Sequence, residues 1–164
     1  MVNLMTVGDN FLMGSYMKPR FSALPFKVKA CRDAHLAFMI PGVEIVFELM
    51  IGASDNTETL LKVKGSRVVW STETPDILNC EEWRSFWVRI VKQQSLKKFD
   101  FGVGSTYGNH RIIHHIERNA SDFETIAFAS SNGAVAEFEY AESGGRQLFS
   151  TTFHCNFVSM NCHL

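Results

Sequence analysis

The sequence predicts an all-β protein: one domain, an antiparallel β-sandwich of jelly-roll-like character. Three observations predict it. Apolar and polar residues alternate with a period of two over several short stretches, and Gly, Asn and Asp turn signals separate those stretches at short intervals. The chain also carries 14 Phe in 164 residues, and two facing sheets give such large flat side chains a shared interior.

The elements follow in order. Phe26, Val28 and Ala30 alternate with Lys27 and Lys29, the pattern of a half-buried strand. His35 to Ile40 is a second apolar run, broken by Pro41-Gly42. Val43, Ile45, Phe47, Leu49 and Ile51 then alternate with Glu44, Val46, Glu48 and Met50, so the first set is expected on the core face. Asp55-Asn56 turns the chain, Thr59 to Lys64 resumes it, Gly65-Ser66 turns it again, and Arg67 to Thr72 holds Val68, Val69 and Trp70. Phe86, Val88 and Ile90 alternate with Trp87, Arg89 and Val91, and Phe99 and Phe101 lead into Gly102. Ile126 and Phe128 lie in one strand and Phe138 in another, with the hairpin signal Asn132-Gly133 between them. After Gly144-Gly145, Phe149, Thr151, Phe153, Cys155 and Phe157 share one face of a closing strand. Helical turns are expected only at Cys80 to Ser85 and at Gly108 to Arg118, where Ile112, Ile113 and Ile116 share a helical face. With no repeat or linker, the chain divides into an N-terminal extension packed on the domain (1–25), the sandwich (26–141) and a C-terminal strand or hairpin completing it (142–164).

Composition narrows the function. Sixteen basic and seventeen acidic side chains leave a net charge of −1, so no global positive field exists to hold a phosphate backbone, and nucleic acid is not an expected partner. No apolar stretch is long enough for a spanning helix. The first 17 residues lack the basic start and apolar run of an export signal, so the location is cytoplasmic by default, with a secreted parent protein as the alternative. Cys31, Cys80, Cys155 and Cys162 form no Cys-x-x-Cys pair and are read mostly as small core residues, although Cys155 and Cys162 could meet across a hairpin. Asn119-Ala120-Ser121 matches the acceptor pattern for N-glycosylation.

Several of these stretches together resemble a known family. They are Phe26-Lys27-Val28-Lys29-Ala30, Asp33-Ala34-His35-Leu36-Ala37, Val43-Glu44-Ile45-Val46, Thr74-Pro75-Asp76-Ile77-Leu78 and Glu82-Trp83-Arg84-Ser85-Phe86-Trp87-Val88-Arg89. With Phe101-Gly102-Val103-Gly104 and the closing hairpin Ile126 to Tyr140, they resemble the farnesoic acid O-methyltransferase-like domain family over residues 26 to 141. The sequence departs from that family at Ser131-Asn132-Gly133, where members usually carry Gly-Trp-Gly. The family name implies methyl transfer from S-adenosylmethionine to a farnesoic acid carboxylate. The resemblance also implies a module recurring within larger proteins, which suits binding.

The candidate residues divide along those lines. Trp70 and Trp87, with Arg89, are the candidate ligand-binding residues, because exposed indole rings stack on sugars and flat ligands. Trp83, Arg84 and Asn79 are accessory candidates. Asp100, Gly102 and Gly104 imitate the first loop of many methyltransferases and would contact S-adenosylmethionine if the domain were an enzyme, with Glu124 near the spacing of a ribose-binding acid. The antiparallel pattern around them favours a turn or bulge instead. His110, His114 and His115 form a histidine cluster without an evident third ligand, so no metal is expected. Cys31 or Cys155 would need a positioned histidine to act as a nucleophile. Lys27, Lys29, Lys62 and Lys64 are expected on solvated outer faces. The sequence therefore favours a non-catalytic recognition module for a small ligand, glycan or protein, without a cofactor. Methyl transfer is the alternative, and a homo-oligomer formed through a strand edge is a third possibility.

Overall fold

The computed structural model describes residues 23–40, 42 and 44–141, together with the backbone of strand segments at 6–7, 11–12, 148–155 and 162–163. Its strands are β1 (Thr6–Val7), β2 (Phe11–Leu12), β3 (Leu24–Ala30), β4 (Ala34–Ile40), β5 (Glu44–Gly52), β6 (Glu58–Val63) and β7 (Arg67–Glu73). They continue with β8 (Arg84–Gln93), β9 (Leu96–Val103), β10 (Arg111–Arg118), β11 (Thr125–Ser130), β12 (Ala136–Ala141), β13 (Leu148–Cys155) and β14 (Cys162–His163). All described pairings are antiparallel. One sheet has the order β1-β2-β11-β4-β5-β6-β7 and the other β10-β9-β8-β3-β12-β13-β14. Two meanders, β4 to β7 and β8 to β10, form the bulk of the two sheets, and hairpin turns suffice to connect them.

The sheets face each other through their Phe side chains. Phe38 and Phe47 of the first sheet meet Phe99 of the second at ring-centroid distances of 5.9 and 5.4 Å. Phe128 meets Phe138 and Tyr140, both at 4.9 Å. Each fully buried Phe contributes roughly 1.5–3 kcal/mol of transfer free energy, so this layer dominates what holds the sheets together. The expected alternation of β3 is present, with Phe26, Val28 and Ala30 buried and Lys27 and Lys29 facing out. Those lysines pair across the strand with Glu139 and Glu137, both at 2.9 Å.

The structure corrects four local expectations. In β5 the core face is not the single alternating set: Val46 lies in the main core beside Phe47, while Ile45 packs with Ala37, Met39 and Ala127 in a separate small cluster. The register shifts there, Phe38 pairing with Phe47 but Met39 with Ile45, and a bulge of this kind reverses the side-chain alternation beyond it. Gly108 to Arg118 is not helical. Arg111–Arg118 is strand β10, with Ile113 buried and Ile116 45% exposed, because the free edge of β9 offers a backbone ladder and β-branched isoleucines suit it. Cys80 to Ser85 holds no helical turn either: it bends into β8, and Asn79 Oδ1 accepts from the backbone N–H groups of Glu81 and Glu82. Lastly, Cys31 and Cys80 are not core residues but form an exposed disulfide. The expected Cys155 and Cys162 hairpin is present in backbone register, while the side chains of that strand lie outside the described residues.

A strap closes the end of the sandwich nearest this disulfide. Residues 74 to 80 cross from β7 toward β8, and Asn56 clasps them: its Oδ1 accepts from Leu78 N at 3.1 Å and its Nδ2 donates to Leu78 O at 3.0 Å. Ser54, Asp55 and Asn56, within the short helical stretch Ala53–Asn56, all have left-handed backbones, which brings the Asn56 side chain to the strap. Gly52 faces the Leu78 side chain, and a Cβ there would lie 2.7 Å from Leu78 Cδ1.

Candidate functional site

The β9–β10 loop, residues 104 to 110, has a surface of interest on each side. On the outer face of the second sheet, Trp87 of β8 stands opposite Gly102 of β9. Its indole Nε1 donates to Asn109 O at 2.9 Å, and its ring meets Tyr107 edge-on at 5.0 Å. These contacts pull the loop over the indole, so Trp87 is only 1% exposed and offers no open face for stacking. The open ring at this place is Tyr107, 45% exposed, with the Arg89 guanidinium over it at 4.8 Å and donating to its hydroxyl. One residue along, Asp100 accepts from His114 Nδ1 at 2.6 Å and lies 3.5 Å from Arg111 Nη1. Arg89, Asp100 and His114 form a row across three strands because register places each opposite the next.

On the other side of the loop lies a concave depression of about 320 Å³. The strap supplies Thr74, Pro75, Asp76 and Ile77, β8 supplies Arg84 and Ser85, and Val103 and Ile112 complete the rim. Its walls are apolar at Pro75, Ile77, Val103 and Ile112, and polar at the other four. Arg84 Nε is buried without a hydrogen-bond partner, although Arg84 Nη2 reaches Glu82 at 3.6 Å. Buried polar atoms of this kind carry a desolvation cost that a bound acceptor would relieve.

A family model described as farnesoic acid O-methyltransferase matches residues 9–143. The chain belongs to that family. Its match covers β3 through β12, and therefore the strap, the depression and the loop beside them. Comparison with curated proteins finds no match to this sequence.

S-adenosylmethionine is the cofactor that the family description implies, and two of the three residues expected to contact it are already engaged by other side chains. The space a Cβ would fill at Gly102 is taken by Trp87, whose Cζ2 would lie 2.4 Å away, with the His110 carbonyl oxygen at 2.7 Å. Gly102 is thus small because an indole lies on it. The Asp100 side chain is only 11% exposed and its carboxylate is occupied by His114 and Arg111. Gly104 makes a turn at φ +99°, its N–H donating to Ser85 O at 2.7 Å.

The remaining candidates are dispersed. Trp70 sits on β7 of the opposite sheet, half-buried against the core, with Nε1 buried and without a partner. Trp83 is 36% exposed beneath the Lys29 ammonium, 5.4 Å from its ring centre. Glu124 is exposed ahead of β11, far along the chain from Gly102 in a segment held by its N–H to Met39 O. His114 and His115 point to opposite faces of β10, His115 reaching Glu117 at 3.0 Å, and among the described residues no group of three potential ligands could hold a metal. Cys31, bonded to Cys80, is no nucleophile, and the side chain of Cys155 lies outside the described residues. Asn119 is exposed just past β10.

Sequence reasoning missed Tyr107, whose only signal was a tyrosine in a glycine-rich loop, and it named Asp100 and His114 without pairing them. It also missed a polar chain in the first sheet, where His35 Nδ1 meets Glu48 at 2.8 Å and His35 Nε2 meets Ser131 Oγ at 2.9 Å. His35 and Glu48 are 6% and 5% exposed, so this buried network links β4, β5 and the turn after β11 on the face of the first sheet directed away from the inter-sheet core.

Proposed function

We propose that the domain is a non-catalytic recognition module that takes a small ligand with an apolar body and an anionic head in the depression beside the strap. The carrying observation is that depression of about 320 Å³, which four apolar residues and Arg84 line together. An aliphatic chain would lie along Pro75, Ile77, Val103 and Ile112, and a carboxylate would accept from the Arg84 guanidinium and the Ser85 hydroxyl. The prior occupation of Gly102 by Trp87 and of Asp100 by His114 and Arg111 supports binding over methyl transfer. Farnesoic acid, the acid that the family description names, has this make-up and is the first probe.

Titration calorimetry of farnesoic acid should give saturable one-to-one binding that weakens by about 10- to 100-fold in Arg84→Gln, the range for a charge-assisted hydrogen bond. No saturable binding would refute the reading. So would stoichiometric uptake of S-adenosylmethionine that disappears in Gly104→Trp. The outer face supports a second reading, since Tyr107 presents an open ring flanked by Arg89, Arg111 and His114, a surface suited to a glycan or a protein loop. Loss of ligand binding in Tyr107→Ala with full retention in Arg84→Gln would favour it.

A further inference from the structure

We infer that Asn119 is an N-glycosylation site and that the domain matures in an oxidising secretory compartment. Two independent observations converge. The first is the Cys31–Cys80 disulfide, both of whose residues are exposed. A solvent-open bridge persists where thiols are not kept reduced, which argues for an oxidising compartment over an ordinary cytosol. The second is Asn119-Ala120-Ser121, the one Asn-x-Ser/Thr triplet in the sequence.

The local geometry suits the modification. Asn119 adopts φ +55°, and its backbone N–H donates to Ser95 O at 2.8 Å. The middle residue is anchored: Ala120 is half-buried against the core, and its carbonyl accepts from Lys97 Nζ at 2.5 Å. The two outer residues are exposed, and no described residue holds the Asn119 side chain. In the reaction, a bond forms between Asn119 Nδ2 and the anomeric carbon of an oligosaccharide carried on a polyprenyl pyrophosphate. The anomeric C–O bond breaks, the pyrophosphate departs with the electron pair, and Nδ2 loses a proton.

The position also leaves the proposed binding region open. Arg111 starts β10 beside the loop, and Asn119 follows its last residue, so eight residues at about 3.4 Å each put them roughly 27 Å apart. A glycan there would stand at the end of an edge strand, where it would hinder pairing with a second chain.

The test expresses the full chain behind a cleavable export leader in eukaryotic cells and reads total protein, retained and secreted. Peptide N-glycosidase should increase gel mobility and convert Asn119 to Asp by mass spectrometry. Ser121→Ala should abolish the shift while Cys31 and Cys80 remain bonded, and Ser121→Thr should keep it. Unmodified Asn119 in cells that glycosylate a control protein would overturn the site. Free thiols at both Cys31 and Cys80 under non-reducing alkylation would overturn the compartment.

Discussion

Replacing the disulfide with two serines tests how much of the sandwich depends on this single link. The bridge joins the turn after β3 to the end of the strap, residues 49 apart in sequence. Closing a loop of that length in the unfolded chain corresponds to about 4 kcal/mol at 25 °C by the chain-entropy relation. At roughly 2.1 cal/mol/K per residue, the 164-residue chain has an unfolding entropy of about 0.34 kcal/mol/K, so Tm should fall by about 12 °C. The double variant Cys31→Ser/Cys80→Ser is the suitable comparison, because a single substitution would leave an exposed reactive thiol. Thermal unfolding followed by circular dichroism should show one cooperative transition in both proteins, displaced by that amount. Native β-sheet content should be retained in the variant, since Ala30 N still donates to Asn79 O and Asn56 still clasps Leu78. Melting temperatures within about 3 °C of each other, with the wild-type bridge verified by mass, would refute the reasoning.

Two further outcomes are expected. Gly102→Ala should destabilise the domain by about 1–3 kcal/mol in urea titration, because the new methyl meets the Trp87 ring and the His110 carbonyl at distances no Cβ tolerates, and tryptophan fluorescence should report the displaced indole. Asp122 pairs with Lys92 at 2.6 Å and Lys97 at 2.9 Å, and hydrogen bonds from Lys92 and then Lys97 hold its carboxyl below the ordinary carboxylate value. A lowered folded-state value contributes stability above the unfolded pKa of about 3.9 that is lost as pH falls through the folded one. Asp122→Asn should therefore lower the urea midpoint at pH 7, by less than about 1 kcal/mol given the exposed carboxylate, and the difference should close as pH drops below that range.

The fold was legible because the information is local. Alternation at Phe26 to Ala30 and at Phe86 to Val91, and the Asn132-Gly133 turn, depend only on neighbours two or three residues away. Where tertiary pairing overrides local pattern, the sequence was less informative. Ile112, Ile113 and Ile116 fit a helical stripe as well as a strand until β9 presents its edge, and the β5 bulge is visible only from the partner strand. The site was half legible for the same reason. Trp87, Arg89, Asp100, Gly102 and Gly104 do converge, yet whether an indole is open or covered depends on a loop contributed 20 residues later. Cys31 and Cys80 could not be paired from sequence, because the approach of β3 to β8 that joins them is a long-range event.

One flank of the sandwich is bridged by side chains. At one flank the two sheets end in β7 and β10, and Arg67 Nη2 spans them to both carboxylate oxygens of Glu117 at 3.0 Å. No backbone ladder between these two strands is described, so a charged clamp stands where a closed barrel would have a row of amide bonds. Ionic strength weakens such a clamp and leaves ladders almost untouched. Raising the salt should therefore loosen the contact between β7 and β10, by no more than the roughly 1 kcal/mol that an exposed ion pair contributes.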